Sequence, residues 1–124
     1  MSAVRSKNGW TLDGQTWYYM DAEGVMQTGW LNLNGTWYYL HSNGAMASAT
    51  WLQLGGEWYY VTGSGNMVTG WNQINGMWYY MYENGVMAHD TVIDGYELDS
   101  SGAWNAGLAA ANAAAPGGDR TGRK

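Results

Sequence analysis

Four tryptophans recur along the chain at almost constant spacing, and this repetition restricts the fold more than any other feature of the sequence. Trp10, Trp30, Trp51 and Trp71 are separated by 20, 21 and 20 residues. A Trp-Tyr-Tyr triplet begins seven residues after each of them, at Trp17, Trp37, Trp58 and Trp78. Units this short cannot bury a hydrophobic face alone, so successive units must stack.

The residues before each triplet predict a tight turn. These turn signals are Asp13-Gly14, Asn34-Gly35, Gly55-Gly56 and Asn75-Gly76, residue types that accept the positive φ values of two-residue hairpin turns. A fifth, shorter unit over residues 94–104 keeps the turn signal and has lost most of the triplet. The sequence therefore predicts an all-β fold, a β-hairpin solenoid of four full repeats and a shortened terminal repeat over residues 9–104.

The two ends of the chain lack this pattern. We expect residues 1–8 to form a disordered N-terminal lead. Residues 105–124 contain an Ala-rich stretch followed by glycines and basic residues, which predicts a frayed helix and a flexible tail.

Charge and composition exclude several classes of function. The net charge is -5, and no Lys or Arg occurs between Asn8 and Gly118, so the repeats offer no basic surface to nucleic acid. The chain has no cysteine, which excludes disulfides and thiolate metal sites. It also lacks the long apolar run of a membrane span and, at its start, the apolar core of a secretory signal, so neither membrane insertion nor targeting is expected.

Two indoles in every full repeat are costly as core residues, because each indole N–H needs a partner when buried. Converging Trp faces form a cage that attracts a weakly hydrated cation such as a quaternary ammonium, and the acidic, lysine-free surface favours the same ligand. Sugars also stack on Trp and Tyr, so composition leaves both ligands open. For the middle tyrosines of the triplets, a purely structural role is the preferred interpretation: Tyr18, Tyr38, Tyr59 and Tyr79.

The motif Gly29-Trp30-x6-Trp37-Tyr38-Tyr39-Leu40-x3-Gly44-x-Met46 closely resembles the choline-binding repeats of Gram-positive bacterial and phage surface proteins, and the resemblance covers residues 9–104. It implies a non-catalytic module that binds phosphocholine on teichoic and lipoteichoic acids and anchors its parent protein at the cell wall, outside the cell.

The resemblance also implies sites walled by two Trp of one unit and the second triplet Tyr of the next. The expected sites are Trp10, Trp17 and Tyr39, then Trp30, Trp37 and Tyr60, then Trp51, Trp58 and Tyr80. At the fourth junction, Trp71 and Trp78 face a unit with Glu97 at the tyrosine position, so either the cavity is lost or a carboxylate replaces one ring. Met26, Met46 and Met67 are candidates to close one side of each cage, with gap filling between hairpins as the alternative.

No arrangement of residues indicates catalysis, a metal site or a cofactor. His41 and His89 fall in loops, and the acidic residues fall in turns, where they are expected for solubility and turn chemistry. Two alternatives to choline binding stay open: an α-glucan or other carbohydrate-binding solenoid, and an engineered repeat scaffold. Dimerisation through the terminal hairpins is conceivable, with no particular residue to support it.

Overall fold

The computed structural model describes residues 9–104, and within this range the chain consists of hairpins without helices. Each hairpin is a separate two-stranded antiparallel sheet. This confirms the predicted fold class, all-β and built from hairpin repeats. The strands are β1 Gly9–Asp13, β2 Thr16–Met20, β3 Gly29–Leu33, β4 Thr36–Leu40, β5 Thr50–Leu54, β6 Glu57–Val61, β7 Gly70–Ile74, β8 Met77–Met81, β9 Thr91–Ile93 and β10 Tyr96–Leu98.

Contacts divide the described residues into two compact units. The first comprises residues 9–52 and 60–67, and the second comprises residues 53–59 and 68–104. The first unit contains the β1–β2 and β3–β4 hairpins, and the second contains the β7–β8 and β9–β10 hairpins. The predicted N-terminal lead and C-terminal tail lie outside the described residues.

The turns follow the predicted chemistry, with one change of position. Asn34 and Gly35 have φ values of 55° and 93°, as a type I′ hairpin turn requires. In the first hairpin, Asp13 pairs with Thr16 across the strands, so the turn is Gly14-Gln15 and the predicted Asp13-Gly14 was wrong. Asp13-Gly14 and Gly14-Gln15 share the glycine that the turn needs. The strand pairing makes that glycine the first residue of the turn.

The core of each repeat is an aliphatic residue at the end of its second strand. Leu40, Val61 and Met81 are fully buried, and Leu98 is almost so. Each of them bridges to a residue after the following loop, as Leu40 does to Met46 and Leu98 to Trp104. These branched and flexible side chains supply the apolar burial, which leaves the second Trp of the first three hairpins exposed: Trp17, Trp37 and Trp58.

The loop glycines give the methionines a place to pack. Gly44 has φ 89° and Gly102 has φ 87°, so both lie in the left-handed region. A Cβ at Gly44 would overlap the Met26 side chain, and a Cβ at Gly102 would overlap that of Met87. Glycine is therefore required at these positions both by backbone conformation and by close approach.

We expect three Gly→Ala substitutions to separate these two requirements. Gly35→Ala meets nothing within 4 Å and should cost about 1 kcal/mol for the left-handed backbone alone. Gly102→Ala should cost about 1–3 kcal/mol more, because Met87 is only 5% exposed and cannot swing away. Gly44→Ala should fall between them, since Met26 is 41% exposed. Guanidinium unfolding of the three variants measures the order, and equal costs would contradict the packing role of the methionines.

Candidate aromatic ligand-binding site

The two tryptophans of a hairpin lie together on one of its faces. In the first hairpin Trp10 pairs with Tyr19, and Trp17 lies two residues before Tyr19 on the same strand, so all three side chains point the same way. The Trp10 and Trp17 rings have centroids 6.4 Å apart and planes at 88°. Trp30 and Trp37 repeat this geometry at 6.3 Å and 89°.

The third aromatic wall of the first site comes from the next hairpin. Tyr38 on β4 lies against Trp10, with ring centroids 5.1 Å apart and planes at 72°. Tyr39, which the family resemblance implied for this wall, instead packs on Trp30 of its own hairpin, with ring centroids 5.1 Å apart. The reason is strand alternation: Tyr38 points to the opposite face from Trp37 and Tyr39, and that face is turned toward the first hairpin.

A cavity of about 250 Å³ lies inside this group of rings. Its walls are Trp10, Trp17, Tyr38 and Met46, and the loop residues Gly63 and Ser64 complete the lining. Trp17 keeps 39% of its surface exposed, so the cavity opens to solvent along this indole. Each lining residue lies in the described range, and none of them carries a charge. The site is therefore an open aromatic box with a small polar rim.

The methionine of the first cavity is Met46, one repeat later than its Trp pair. Its backbone N–H donates a 2.9 Å hydrogen bond to the Trp17 carbonyl, which holds the segment after β4 against the beginning of β2. Met67 makes the same bond to Trp37 at 2.8 Å. Met26 packs against the Gly44 loop, as Met46 does against the Gly65 loop. In the first three hairpins, the residue that bonds to the second Trp carbonyl is thus a methionine of the next repeat, and spacing alone did not reveal this offset.

The other predicted wall tyrosines behave as Tyr39 does. Tyr60 packs on Trp51 with centroids 5.2 Å apart, and Tyr80 packs on Trp71 at the same separation. Each therefore braces the first Trp of its own hairpin.

Trp58 of the third hairpin resembles Trp17 of the first. The two side chains are exposed to a similar degree, and the Trp58 carbonyl accepts a hydrogen bond from the Met87 N–H.

At the last junction the aromatic wall comes from Tyr96 and not from position 97. Tyr96 lies against Trp71, with centroids 5.5 Å apart and planes at 74°, nearly the geometry of Tyr38 on Trp10. Glu97 follows Tyr96 on β10, so it points to the other face, where it pairs with Val92. No carboxylate replaces the ring here: Tyr96 supplies it, and Asp94 accepts a 3.0 Å hydrogen bond from the Trp71 indole.

Ionisable groups near this junction organise loops. Asp99 accepts hydrogen bonds from the Ser101 hydroxyl at 2.6 Å and from the Ser101 and Ala103 N–H groups, and these bonds lower the pKa of Asp99. Burial, with a smaller contribution from the Asp99 charge, raises the pKa of Tyr79, which keeps its phenol neutral at physiological pH.

The described residues show no grouping of three or more His, Asp or Glu side chains able to hold a metal ion. His89 lies 2.8 Å from Asp90 in an exposed pair, and His41 packs beside Tyr39. Within the same residues, no helix has the length and apolar character to cross a bilayer.

Comparison with known proteins identifies the repeat. A family model described as a choline-binding repeat matches residues 7–51 and 68–99, and a model described as a cell wall binding repeat matches residues 50–67. No curated protein gave a significant match.

Solved structures agree with the family models. The chain is 50% identical to CbpJ from Streptococcus pneumoniae TIGR4, with a TM-score of 0.77 over 81% of this chain and 34% of CbpJ. Choline binding protein F from Streptococcus pneumoniae matches at 46% identity and TM-score 0.77, over 81% and 34% of the two chains. The pneumococcal cell wall endolysin from phage Cp-1, complexed with choline, matches at 33% and 0.61 over 64% and 24%. The chain spans about a third of the first two proteins.

The hydrogen bonds of Asp99 predict a defined pH dependence of stability. Because the folded pKa lies below the ordinary value of 3.8, Asp99 stabilises the fold above that pH and loses this effect as the pH falls through its folded pKa. Asp99→Ala should lower the free energy of unfolding at pH 6 by at most about 1 kcal/mol, because the carboxylate is exposed to solvent. The difference from the unchanged chain should shrink toward pH 2 in thermal unfolding. A difference independent of pH would contradict a role for the charge.

Proposed function

The chain belongs to the choline-binding repeat family, and from this premise we propose that it is a non-catalytic module that holds the choline groups of cell-wall polymers in its aromatic cavities. The observation that carries the proposal is the open box formed by Trp10, Trp17 and Tyr38. The ligand would be choline or the phosphocholine of teichoic and lipoteichoic acids, and the module would retain its parent protein at the cell surface.

The geometry of the box suits a trimethylammonium group better than a sugar. The Trp10 and Trp17 planes are nearly perpendicular, so they present two faces to a compact, roughly spherical group. A sugar ring needs one broad flat platform instead. The negative quadrupole of each ring attracts the cation, and the methyl groups of the ligand replace water on apolar surface. The neutral lining adds no competing cation.

Affinity at one site is expected to be weak. Each cation-π contact contributes on the order of 0.5–2 kcal/mol, and three such faces, set against the cost of immobilising the ligand, correspond to roughly millimolar binding. A polymer that displays many choline groups engages several sites at once, and the avidity can exceed the single-site affinity by ~10² or more. Repetition of a weak site would therefore provide strong retention.

We extend the proposal to the second and third hairpins on the repeated sequence motif. Trp30 and Trp37 have the same mutual geometry as Trp10 and Trp17, and Trp51 and Trp58 occupy the same motif positions. Related structures support a cell-wall ligand that includes choline. The phage Cp-1 endolysin was solved with choline, and choline binding protein F was solved in the presence of a peptidoglycan analogue.

Ligand selectivity tests the proposal directly. We expect choline to change tryptophan fluorescence with a midpoint near the millimolar range, and ethanolamine to act at least tenfold more weakly, because it lacks the methyl groups that fill the box. A maltooligosaccharide should have no effect at the same concentrations. Stronger binding of ethanolamine or of the sugar would reject the quaternary-ammonium proposal, and the sugar result would favour a carbohydrate-binding module.

A matched pair of tyrosine variants tests the assignment of the third wall. Tyr38→Ala should weaken choline binding at the first site by about tenfold, because it removes one cation-π face worth roughly 1–2 kcal/mol. Tyr18→Ala changes the equivalent position of the first hairpin, and residues 1–8 contain no Trp, so it should leave binding unchanged. Shifts of the Trp10 and Trp17 indole N–H resonances report this site, and equal effects of the two variants would contradict the assignment.

A further inference from the structure

The last junction repeats the backbone of the first cavity but carries a different side chain at the fourth wall. Leu98 bridges to Trp104 as Leu40 bridges to Met46. The Trp104 N–H donates a 2.8 Å hydrogen bond to the Trp78 carbonyl, the bond that Met46 makes to Trp17. Trp104 therefore occupies, beside the last Trp pair, the position that Met46 occupies beside the first Trp pair.

The indole at this position is buried among the walls of the box. Trp104 is only 9% exposed, and it forms a core cluster with Ala88 and Leu98 against which Trp71, Trp78 and Tyr96 pack. Its ring lies 5.1 Å from that of Tyr96 at 87°. Trp78 is less exposed than its counterparts in the first three hairpins. A flexible thioether leaves room between the rings at the first junction, whereas the larger indole covers them at the last.

We propose that Trp104 fills the last aromatic box from within, so that the junction of Trp71, Trp78 and Tyr96 is closed to quaternary ammonium ligands and serves to lock the final hairpin. This inference rests on the proposed function. It further means that the residue bonded to the second Trp carbonyl decides whether a junction binds: a methionine leaves the box open, and a tryptophan closes it.

A hydrogen bond at this junction also holds the final hairpin in place. The Asp94 carboxylate lies in the turn of the last hairpin and accepts the Trp71 indole N–H. Trp71 is thereby held by the final hairpin through a hydrogen bond as well as through the Tyr96 ring. A polar bond and a filled cavity together fix the short hairpin, whose strands of three residues each supply few ladder bonds of their own.

Reciprocal substitutions test the inference. Trp104→Met should open the last box, and choline should then shift the Trp71 and Trp78 indole N–H resonances, which stay unmoved in the unchanged chain. Met46→Trp should close the first box and abolish the response of Trp10 and Trp17, while Trp30 and Trp37 still respond. Choline chloride is the probe, ¹⁵N-labelled full-length chain is the sample, and the dispersion of the amide spectrum verifies folding.

The outcomes are distinct. Trp71 and Trp78 signals that shift in the unchanged chain as strongly as those of Trp10 and Trp17 would overturn the inference, because the last box would then be open. A folded Trp104→Met chain in which they stay unmoved would overturn it as well. If Trp104→Met does not fold, Met46→Trp decides: continued response of Trp10 and Trp17 overturns the inference. If no indole of the unchanged chain responds to choline, the proposed function fails and the inference fails with it.

Discussion

The contact of the Tyr38 ring with the Trp10 indole is the interaction on which the first unit depends. A two-stranded hairpin cannot bury either of its faces alone. This contact packs the Tyr38 face of the second hairpin against the Trp10 face of the first. The Met46 N–H then bonds to the Trp17 carbonyl, which satisfies an edge group of the hairpin that would otherwise face solvent. The contacts that stack the two hairpins are therefore also contacts that build the aromatic box.

This arrangement explains why exposed tryptophans are compatible with a stable repeat. Apolar burial is concentrated at positions such as Leu40 and Val61, which are fully buried. The exposed second indole packs edge-on against the first, as Trp37 does on Trp30, and the first indole is braced by a tyrosine of its own hairpin. Trp30 packs on Tyr39 in this way. The rings are therefore rigid without being covered, and a rigid, partly exposed ring loses little conformational entropy when it binds a ligand.

The local pattern was sufficient to predict the hairpins and all but one of their turns, because these depend on residues close in sequence, and the family resemblance implied the pairing of two tryptophans in one site. The pattern was insufficient to predict which tyrosine forms the third wall of the cavity. Both Tyr38 and Tyr39 are aromatic, and alternation places them on opposite faces of β4, so the choice depends on which face meets the preceding hairpin. The same long-range information decides between Met26 and Met46. Where the two faces of a strand are chemically alike, periodicity cannot orient it.

The last hairpin shows how the array of stacked faces ends. The face of this hairpin that meets the preceding one keeps Ile93 and Tyr96, which pack on the cluster around Trp104. The opposite face carries Val92 and Glu97, where the other hairpins carry a Trp and a Tyr. Val92 is 59% exposed, and Glu97 lies beside Asp90 and Asp99 around a shallow depression. A further hairpin stacked here would bury carboxylates without a basic partner, which is strongly unfavourable. The β9–β10 hairpin thus carries an aromatic lock on one face and negative charge on the other.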